Sequence, residues 1–527
     1  MPAITLSRIN WSTPDGRAVL SDLDLHFDRE RVGVVGRNGV GKSTLLRLIA
    51  GELTPASGTI AIDGRVAMMR QTVQVDPAAQ VADLFDARAA LALLRKAEAG
   101  TAGIDDLAEA DWTLEARIDE ALAAVGLSVP ADTPLAALSG GQRTRAALAG
   151  AMFAAPDFLL LDEPTNDLDR AGRAAVRDML ANWRGGAIVV SHDRELLETM
   201  DAIVELTGLG AARYGGGWSA YRARKDIEQA AAEAGLAGAE KRLDAVQRQA
   251  QATAERQARR DAGGRRKAAR GDEPKILLGT LKGRAEESGG ANRRLAERQR
   301  TEAEQALAAA RGKVETIDPL ALALPSTKLP ASRTVLTLDH VTAGYVEGHP
   351  VLRDLSLTVT GPERIAVTGP NGSGKSTLLA LVAGTLAPWT GTVRVRVPFA
   401  LFDQRVSLLD PAQSIAANFL ALNPGTTNNQ CRAALARFRF RAAAADRIAG
   451  TLSGGQMLRA GLACVLGAPR PPQLLMLDEP GNHLDLDALA AVESGLAAYD
   501  GALLIVSHDA AFLDAIGITR TIALDGG

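Results

Sequence analysis

The chain of 527 residues holds only two cysteines, Cys431 and Cys464, 33 positions apart. So few exclude a disulfide framework, a cysteine-rich zinc site or an iron–sulfur cluster built from this chain alone. Long apolar runs are missing too: no stretch approaches the ~18–20 uncharged apolar residues needed to cross a bilayer. The start, MPAITLSRINW, has no basic segment followed by an apolar one, so no secretory signal is expected. Neither sign of charge prevails, the formal net charge being −3. Together these absences point to a reducing, cytoplasmic setting. Hydrophobic residues make up 46% and charged residues 23%, which is a globular composition, so the length is spread over several packed cores.

What is present is one pattern written twice. Gly36–Thr44 reads GRNGVGKST and Gly369–Thr377 reads GPNGSGKST, both fitting the phosphate-binding loop G-x-x-x-x-G-K-[ST]. Glycines let backbone N–H groups close around phosphate oxygens. Lys42 and Lys375 can reach the β- and γ-phosphates, and Ser43 and Ser376 can offer a hydroxyl to Mg²⁺. Nucleotide contacts are expected from Gly36, Asn38, Gly39, Gly41, Lys42, Ser43 and Thr44. The second loop offers Gly369, Asn371, Gly372, Gly374, Lys375, Ser376 and Thr377. Arg31–Val35 and Arg364–Thr368 read as buried strands before the loops, and helices behind them are expected to end at Gly51 and Gly384.

The repeat continues in order through residues 1–221 and 333–527. Each half opens with period-two alternation, ITLSRINW and VLSDLDLHF against VLTLDHVTAGY and VLRDLSLTV, which predicts a small, partly antiparallel sheet. Trp11 and Tyr345 stand 25 and 24 residues before the first loop glycine and could stack on adenine. Gln71 and Gln404 end the strands after the loops, where an amide can bind Mg²⁺ or the attacking water. LSGGQ follows twice, so Ser139, Gly140, Gly141 and Gln142, and likewise Ser453, Gly454, Gly455 and Gln456, open helices whose N-termini suit an anion. Two phosphate cradles per half and one nucleotide per loop suggest that each half lends a cradle to the other. FLLLDEP and LLMLDEP then bring Asp162 and Asp478 to the ends of buried parallel strands, the place for Mg²⁺ coordination. Glu163 and Glu479 follow, suited to act as general bases on water beside a γ-phosphate. His192 and His508, each in an SHD triplet after an apolar strand, could contact that phosphate.

This series of motifs resembles the ATP-binding cassette (ABC) ATPases, over residues 1–221 and 331–527. The resemblance implies an α/β fold: two P-loop ABC ATPase domains, each with a parallel-sheet core, a small antiparallel β subdomain and a helical subdomain, joined by an α-helical hairpin. It also implies ATP hydrolysis with Mg²⁺ by two domains that close head to tail, the LSGGQ of each facing the P-loop of the other within a monomer. After the DEP motifs the chain reads TNDLD (165–169) and GNHLD (481–485), similar to the T-N-H-L-D of the ABC-F subfamily, whose members mostly act on ribosomes. The chain departs from that form at Asp167 and Gly481.

The insert between the halves, roughly 222–330, carries apolar residues at three- and four-residue steps: Leu236, Ala239, Leu243, Val246, Ala250 and Thr253, then Ala303, Leu307, Ala310, Val314 and Ile317. These are seams of an antiparallel helical hairpin with arms of about 40 residues, roughly 60 Å long. Residues 222–316 hold 22 basic and 15 acidic side chains, a net +7, and 256–284 alone account for +7. Arg259, Arg260, Arg265, Arg266, Lys267 and Arg270 thus form a basic tip on an otherwise acidic chain, an electrostatic footprint for RNA or DNA phosphate. In the ABC-F resemblance this hairpin reaches ribosomal RNA and transfer RNA. About 19 extra residues near 85–112 lengthen the first half, where ABC-F proteins often carry a ribosome-contacting arm. No C-terminal coiled coil is expected, since the chain ends 18 residues after Asp509.

Two other readings compete with a ribosome-acting translation factor or ribosome-protection protein. A fused double-cassette subunit of an ABC importer would need a membrane partner and no basic hairpin. A DNA-repair or chromosome-associated ABC ATPase would carry zinc-binding cysteines, or hundreds of coiled-coil residues between P-loop and DEP. Here that separation is 120 residues from Lys42 to Asp162 and 103 from Lys375 to Asp478.

Overall fold

The computed structural model describes residues 2–69, 76, 78–101, 103, 110–166, 168–208, 210–268, 295, 297–311, 324–403, 406–482 and 484–524. Contacts divide the chain into two units, Met1–Ala220 with Pro319–Gly527, and Tyr221–Asp318.

In the first unit each half begins with the alternating segments. β1 (Ala3–Ser12) pairs antiparallel with β2 (Ala18–Phe27), burying Ile4, Leu6, Ile9, Leu23 and Phe27 on one face. The continuous apolar run of β3 (Arg31–Val35) makes a strand buried on both faces. β4 (Ser57–Asp63) completes the small sheet, in the order β2-β1-β4. The core strands are β5 (Val66–Met68), β6 (Phe158–Asp162), β7 (Gly186–Val190), β8 (Ala202–Thr207) and β9 (Gly210–Gly215). They join β3 in the order β5-β6-β7-β3-β8-β9, with only β9 antiparallel to its neighbour.

The second half repeats this with β10 (Thr334–Ala343), β11 (Leu352–Thr360), β12 (Arg364–Thr368) and β13 (Thr390–Val395), then β14 (Phe399–Phe402), β15 (Leu474–Asp478), β16 (Ala502–Val506) and β17 (Arg520–Ala523). Its small sheet runs β11-β10-β13 and its parallel sheet β14-β15-β16-β12-β17. In both sheets the P-loop strand lies beside the strand that leads to SHD, one strand removed from the DEP strand. All three kinds of motif therefore emerge at one end of the sheet. The predicted helices are present with one boundary moved. Lys375–Ala383 ends on Gly384, but Lys42–Ile49 is capped by right-handed Ala50, one residue short of Gly51.

The 85–112 stretch contains the helix Arg88–Glu98, while 102 and 104–109 lie outside the described residues. Both cysteines are buried in the second half, and burial pushes their thiols up.

The second unit is the helical insert. One helix runs Trp218–Ala268, 51 residues and about 76 Å at ~1.5 Å per residue, longer than the arm read from the sequence. Ala239 and Leu307 are buried, and Leu236, Leu243, Val246, Ala250, Ala303 and Ala310 are half-buried, as the seam requires. Arg311 reaches Glu240 at 3.6 Å across the two helices. Thr253 departs from the expectation: it is exposed, and its hydroxyl donates to the Gln249 carbonyl at 2.8 Å. Val314 and Ile317 lie outside the described residues. So do Arg270 and the side chains of Arg260, Arg265, Arg266 and Lys267, whereas Arg259 is exposed.

The two halves anchor their P-loop strands differently. Arg31 makes a two-pronged pair with Asp201, Nη2 to Oδ1 at 2.7 Å and Nε to Oδ2 at 3.0 Å. Arg364 instead donates to the carbonyls of Leu496 (3.0 Å), Tyr499 and Ile516, at the ends of two helices where partial negative charge gathers. Arg364→Met is therefore expected to cost about 1–3 kcal/mol for each carbonyl left buried without a donor. An unchanged urea midpoint for this variant would show that the anchor is dispensable.

Candidate active site

Each P-loop forms because its glycines adopt backbone angles that other residues avoid. Gly36 and Gly369 have φ of +148° and +146°. A Cβ there would stand 2.3 Å from the Leu206 carbonyl oxygen and 2.4 Å from that of Leu524. The loop thus lies tight against the sheet and leaves its other face open. Lys42 is buried beneath it, its Nζ donating to the carbonyls of Gly36 at 2.6 Å and Arg37 at 3.2 Å. Lys375 does the same to Gly369 and Pro370, both at 2.8 Å. Burial lowers the pKa of Lys42, opposed by Glu163, Asp485 and Asp162; burial also lowers that of Lys375, opposed by Glu479, Asp169 and Asp478.

A cavity of ≈ 470 Å³ opens over the first loop. Asn38, Gly39, Gly41, Lys42, Ser43 and Thr44 line it together with Asp162, Glu163 and His192, so one cavity unites the phosphate loop, a carboxylate pair and the imidazole. Trp11, Thr13 and Arg17 from the small sheet close its side. Tyr345, the proposed counterpart of Trp11, is 67% exposed beside the Val346–His349 bridge. Gln71 and Gln404 lie outside the described residues.

Glu163 and Glu479 carry strained backbones, with φ of +50° and +49°. That left-handed region is uncommon for a residue with a side chain, and it persists only where surrounding structure enforces it. The enforcement is visible: the Glu163 N–H donates to the Val190 carbonyl and that of Glu479 to Val506, both at 2.9 Å. Each carboxyl then faces its histidine, Glu163 Oε1 at 3.3 Å from His192 Nε2 and Glu479 Oε1 at 3.4 Å from His508 Nε2. Burial pushes Glu163 up to about 8 despite Lys42, and Glu479 up to about 7 despite Arg173. Burial pushes His192 down to about 3 and His508 to about 4. The imidazoles are thus neutral, and these contacts are not ion pairs. Both ring nitrogens of His192 and Nε2 of His508 are buried without a hydrogen-bond partner, which suits groups meant to meet a ligand. Asp478 accepts from the Ser376 hydroxyl while its Oδ1 is buried unpaired, a donor set fit for a hard cation.

The sequence did not single out Asp169 and Asp485 as site residues. Each uses one carboxylate oxygen to cap its own helix, Asp169 Oδ1 accepting from Gly172 N at 2.9 Å and Asp485 Oδ1 from Ala488 N at 2.8 Å. The other oxygen crosses to the facing P-loop. Asn38 N donates to Asp485 Oδ2 at 2.9 Å and Asn371 N to Asp169 Oδ2 at 3.4 Å. Arg37 adds an ion pair to Asp487 at 3.0 Å. The two halves therefore meet head to tail, and the N-x-L-D motif was the available signal.

The LSGGQ residues open the helices Gly140–Phe153 and Gly454–Leu466 as expected, with Ser139–Gln142 and Ser453–Gln456 forming reciprocal capping boxes. Arg459, on the second of these helices, lies within electrostatic reach of Asp485 and of Arg37 in the facing P-loop. The cavity over the first loop takes its lining from the first half alone, without Ser453–Gln456.

A family model described as ABC transporter matches residues 20–166 and again 352–482. The chain belongs to the ATP-binding cassette family, in its ABC-F branch. This ABC-F protein is 34% identical to the tylosin resistance ATP-binding protein TlrC of Streptomyces fradiae, over 94% of its own length and 92% of TlrC. It is 30% identical to the energy-dependent translational throttle protein EttA of Mycobacterium tuberculosis, over 99% of its own length and 91% of EttA. Among solved structures the RNase-L inhibitor shares the fold, with a TM-score of 0.56 at 18% identity, covering 98% of this chain and 87% of that one. The ABC-F protein is an ATP hydrolase with two nucleotide-binding cassettes. Among the described residues no helix is long and apolar enough to cross a membrane.

The buried carboxyls and imidazoles leave opposite marks on stability. Glu163 and Glu479 hold protons in the folded protein that the unfolded chain releases above its value of 4.5, so their contribution is lost as pH rises through about 7–8. The histidines refuse protons that the unfolded chain takes up below 6.5, so their contribution is lost as pH falls below that value. Between pH 6.5 and 8 the carboxyls act without that opposition. Nucleotide-free protein should lose thermal stability across this window, and the double variant Glu163→Gln, Glu479→Gln should lose less. Parallel melting curves for the two proteins would overturn this assignment of the protons.

Proposed function

We propose that the chain is a cytoplasmic, monomeric ABC-F factor whose two cassettes close on two ATP molecules and whose insert acts on the ribosome. The observation that carries the head-to-tail closure is the pair of aspartates, Asp169 and Asp485, each reaching from its own helix cap to the facing P-loop. In this reading 1–221 and 331–527 are the cassette domains and 222–330 the hairpin. The loop residues from Gly36 to Thr44 and from Gly369 to Thr377 hold the phosphates, and Trp11 and Tyr345 stack on adenine. Ser139–Gln142 and Ser453–Gln456 complete the opposite sites. Ser43, Asp162 and Gln71, and likewise Ser376, Asp478 and Gln404, would hold Mg²⁺, which neutralises phosphate charge when bound.

In each site the ionised form of Glu163 or Glu479 acts as general base. The water oxygen bonds to the γ-phosphorus, the bond to the ADP oxygen breaks, and the carboxylate takes the proton of the water. The neutral imidazole of His192 or His508 donates to the γ-phosphate and holds it in line. The base works only in the chemical step, whereas lysine and backbone N–H groups bind ATP in the ground state as well. The double variant Glu163→Gln, Glu479→Gln should therefore lose turnover by roughly 10²-fold or more, still bind ATP, and stay closed by small-angle scattering. Full turnover in that variant would remove both glutamates from the chemistry.

The ribosomal role is supported by the basic composition of 256–284 and by the names of the relatives, one a translational throttle and one a tylosin resistance protein. If Arg259, Arg260, Arg265, Arg266, Lys267 and Arg270 contact RNA phosphates, changing four of them to Gln should weaken ribosome co-sedimentation. The slope of log affinity against log salt should fall by roughly 0.7–0.9 for each phosphate no longer neutralised. Unchanged binding with an unchanged slope would take the nucleic-acid role away from the insert.

A further inference from the structure

The two halves keep register through the segments after their DEP motifs, yet the chemistry at matching positions differs. Leu168–Leu180 aligns with Leu484–Leu496, and Ser191–Met200 with Ser507–Ile516. Arg173 thereby matches Leu489, Arg177 matches Glu493, and Arg194 matches Ala510. The differences fall where the halves meet. Arg194 Nη1 lies 2.8 Å from Glu493 Oε1 across the junction, both side chains largely buried. Arg177 pairs with Glu195 of its own half.

Arg173 is the informative member. It is 16% exposed and fixed from two directions: Nε donates to the Leu168 carbonyl at 3.2 Å, and Nη1 stands 3.6 Å from Asp193 Oδ2. Asp193 follows His192 of the first site directly in the chain. A cavity of ≈ 30 Å³ at the junction, enough for a water molecule or two, is lined by Arg173 and Leu489 together with His192 of the first site and Glu479 of the second. Ser507 and Asp509, which flank His508 in the chain, line the same cavity, so the guanidinium stands on the side of the second site's glutamate and histidine. Leu489, at the position that matches Arg173, lines the same cavity with His192 of the first site and brings no charge to it.

We propose that Arg173 is a positioning residue supplied by the first cassette to the second ATP site, that Leu489 leaves the first site without its counterpart, and that the second site is therefore the faster of the two. A guanidinium fixed by two neighbours before reaction starts needs no reorganisation to support a carboxylate and a phosphoryl group gaining negative charge, and low-dielectric surroundings strengthen its effect. Leucine at the same place offers only volume. This rests on the reading of Glu163 and Glu479 as general bases.

The full chain tests both in turn. Glu163→Gln leaves the second site turning over and Glu479→Gln the first, so Glu163→Gln should keep the larger residual ATPase. In the Glu163→Gln background Arg173→Leu should lower kcat roughly 10-fold with little change in KM, and Arg173→Lys should recover most of the loss. In the Glu479→Gln background Leu489→Arg should raise kcat. Binding of a fluorescent ATP analogue serves as the second readout, and Arg173→Leu should leave its Kd within about twofold. Equal residual turnover in the two Glu→Gln variants, no loss in Arg173→Leu, or a loss that appears in KM and analogue binding instead of kcat would each overturn the proposal. If neither Glu→Gln variant loses turnover, the general-base reading fails first. If both do and Arg173→Leu changes nothing, only the role of Arg173 falls.

Discussion

The junction between the cassettes depends on an aspartate with two faces. One oxygen of Asp169 or Asp485 ends a helix of its own cassette, and the other accepts a backbone N–H from the loop of the opposite cassette. Because the cap fixes the carboxylate before the cassettes meet, little side-chain entropy is lost in the crossing contact. The loop that must hold ATP thus feels the other cassette through its backbone. Asp485 also belongs to the negative charge opposing the burial of Lys42, and Asp169 plays that part for Lys375. Position and charge in each site are accordingly shared property.

Much of this was legible in the sequence because the motifs are local. A strand such as Phe158–Asp162 is a short apolar run ending in an acid, and both its burial and the place of Asp162 follow from that order. The P-loops and capping boxes are equally short-range. The crossing bonds of Asp169 and Asp485 were not legible, since each joins residues 202 or 447 positions apart. The motif showed the aspartates but not their second partner. Trp11 and Tyr345 show that matching positions do not fix matching surroundings. Matching positions in the repeat suggested one role for both, yet Trp11 lines a cavity while Tyr345 stands largely in solvent. The first arm's seam was legible through its three- and four-residue steps as far as Ala250, whereas Thr253 is exposed with its hydroxyl turned back to the Gln249 carbonyl.

Burial explains the unusual charge states around the chemistry. Carboxyls are pushed up and imidazoles and ammonium groups down, as desolvation requires when no full partner is at hand. In the proposed site a nucleotide and its cation would bring the missing charges. The cassettes are therefore electrostatically unfinished without their ligand, and closing on it serves the same end as pairing buried charges inside a core.

The left-handed backbones of Glu163 and Glu479 have an evolutionary side. Each left-handed non-glycine residue costs about 1–3 kcal/mol, and glycine would sit there without strain. A lineage drifting toward stability alone would shed both glutamates. Two repeats of one chain each place a side chain on that uncomfortable backbone, one position beyond the same apolar strand, so if the proposed general-base role holds, each cassette carries a folding cost at the residue that does its chemistry.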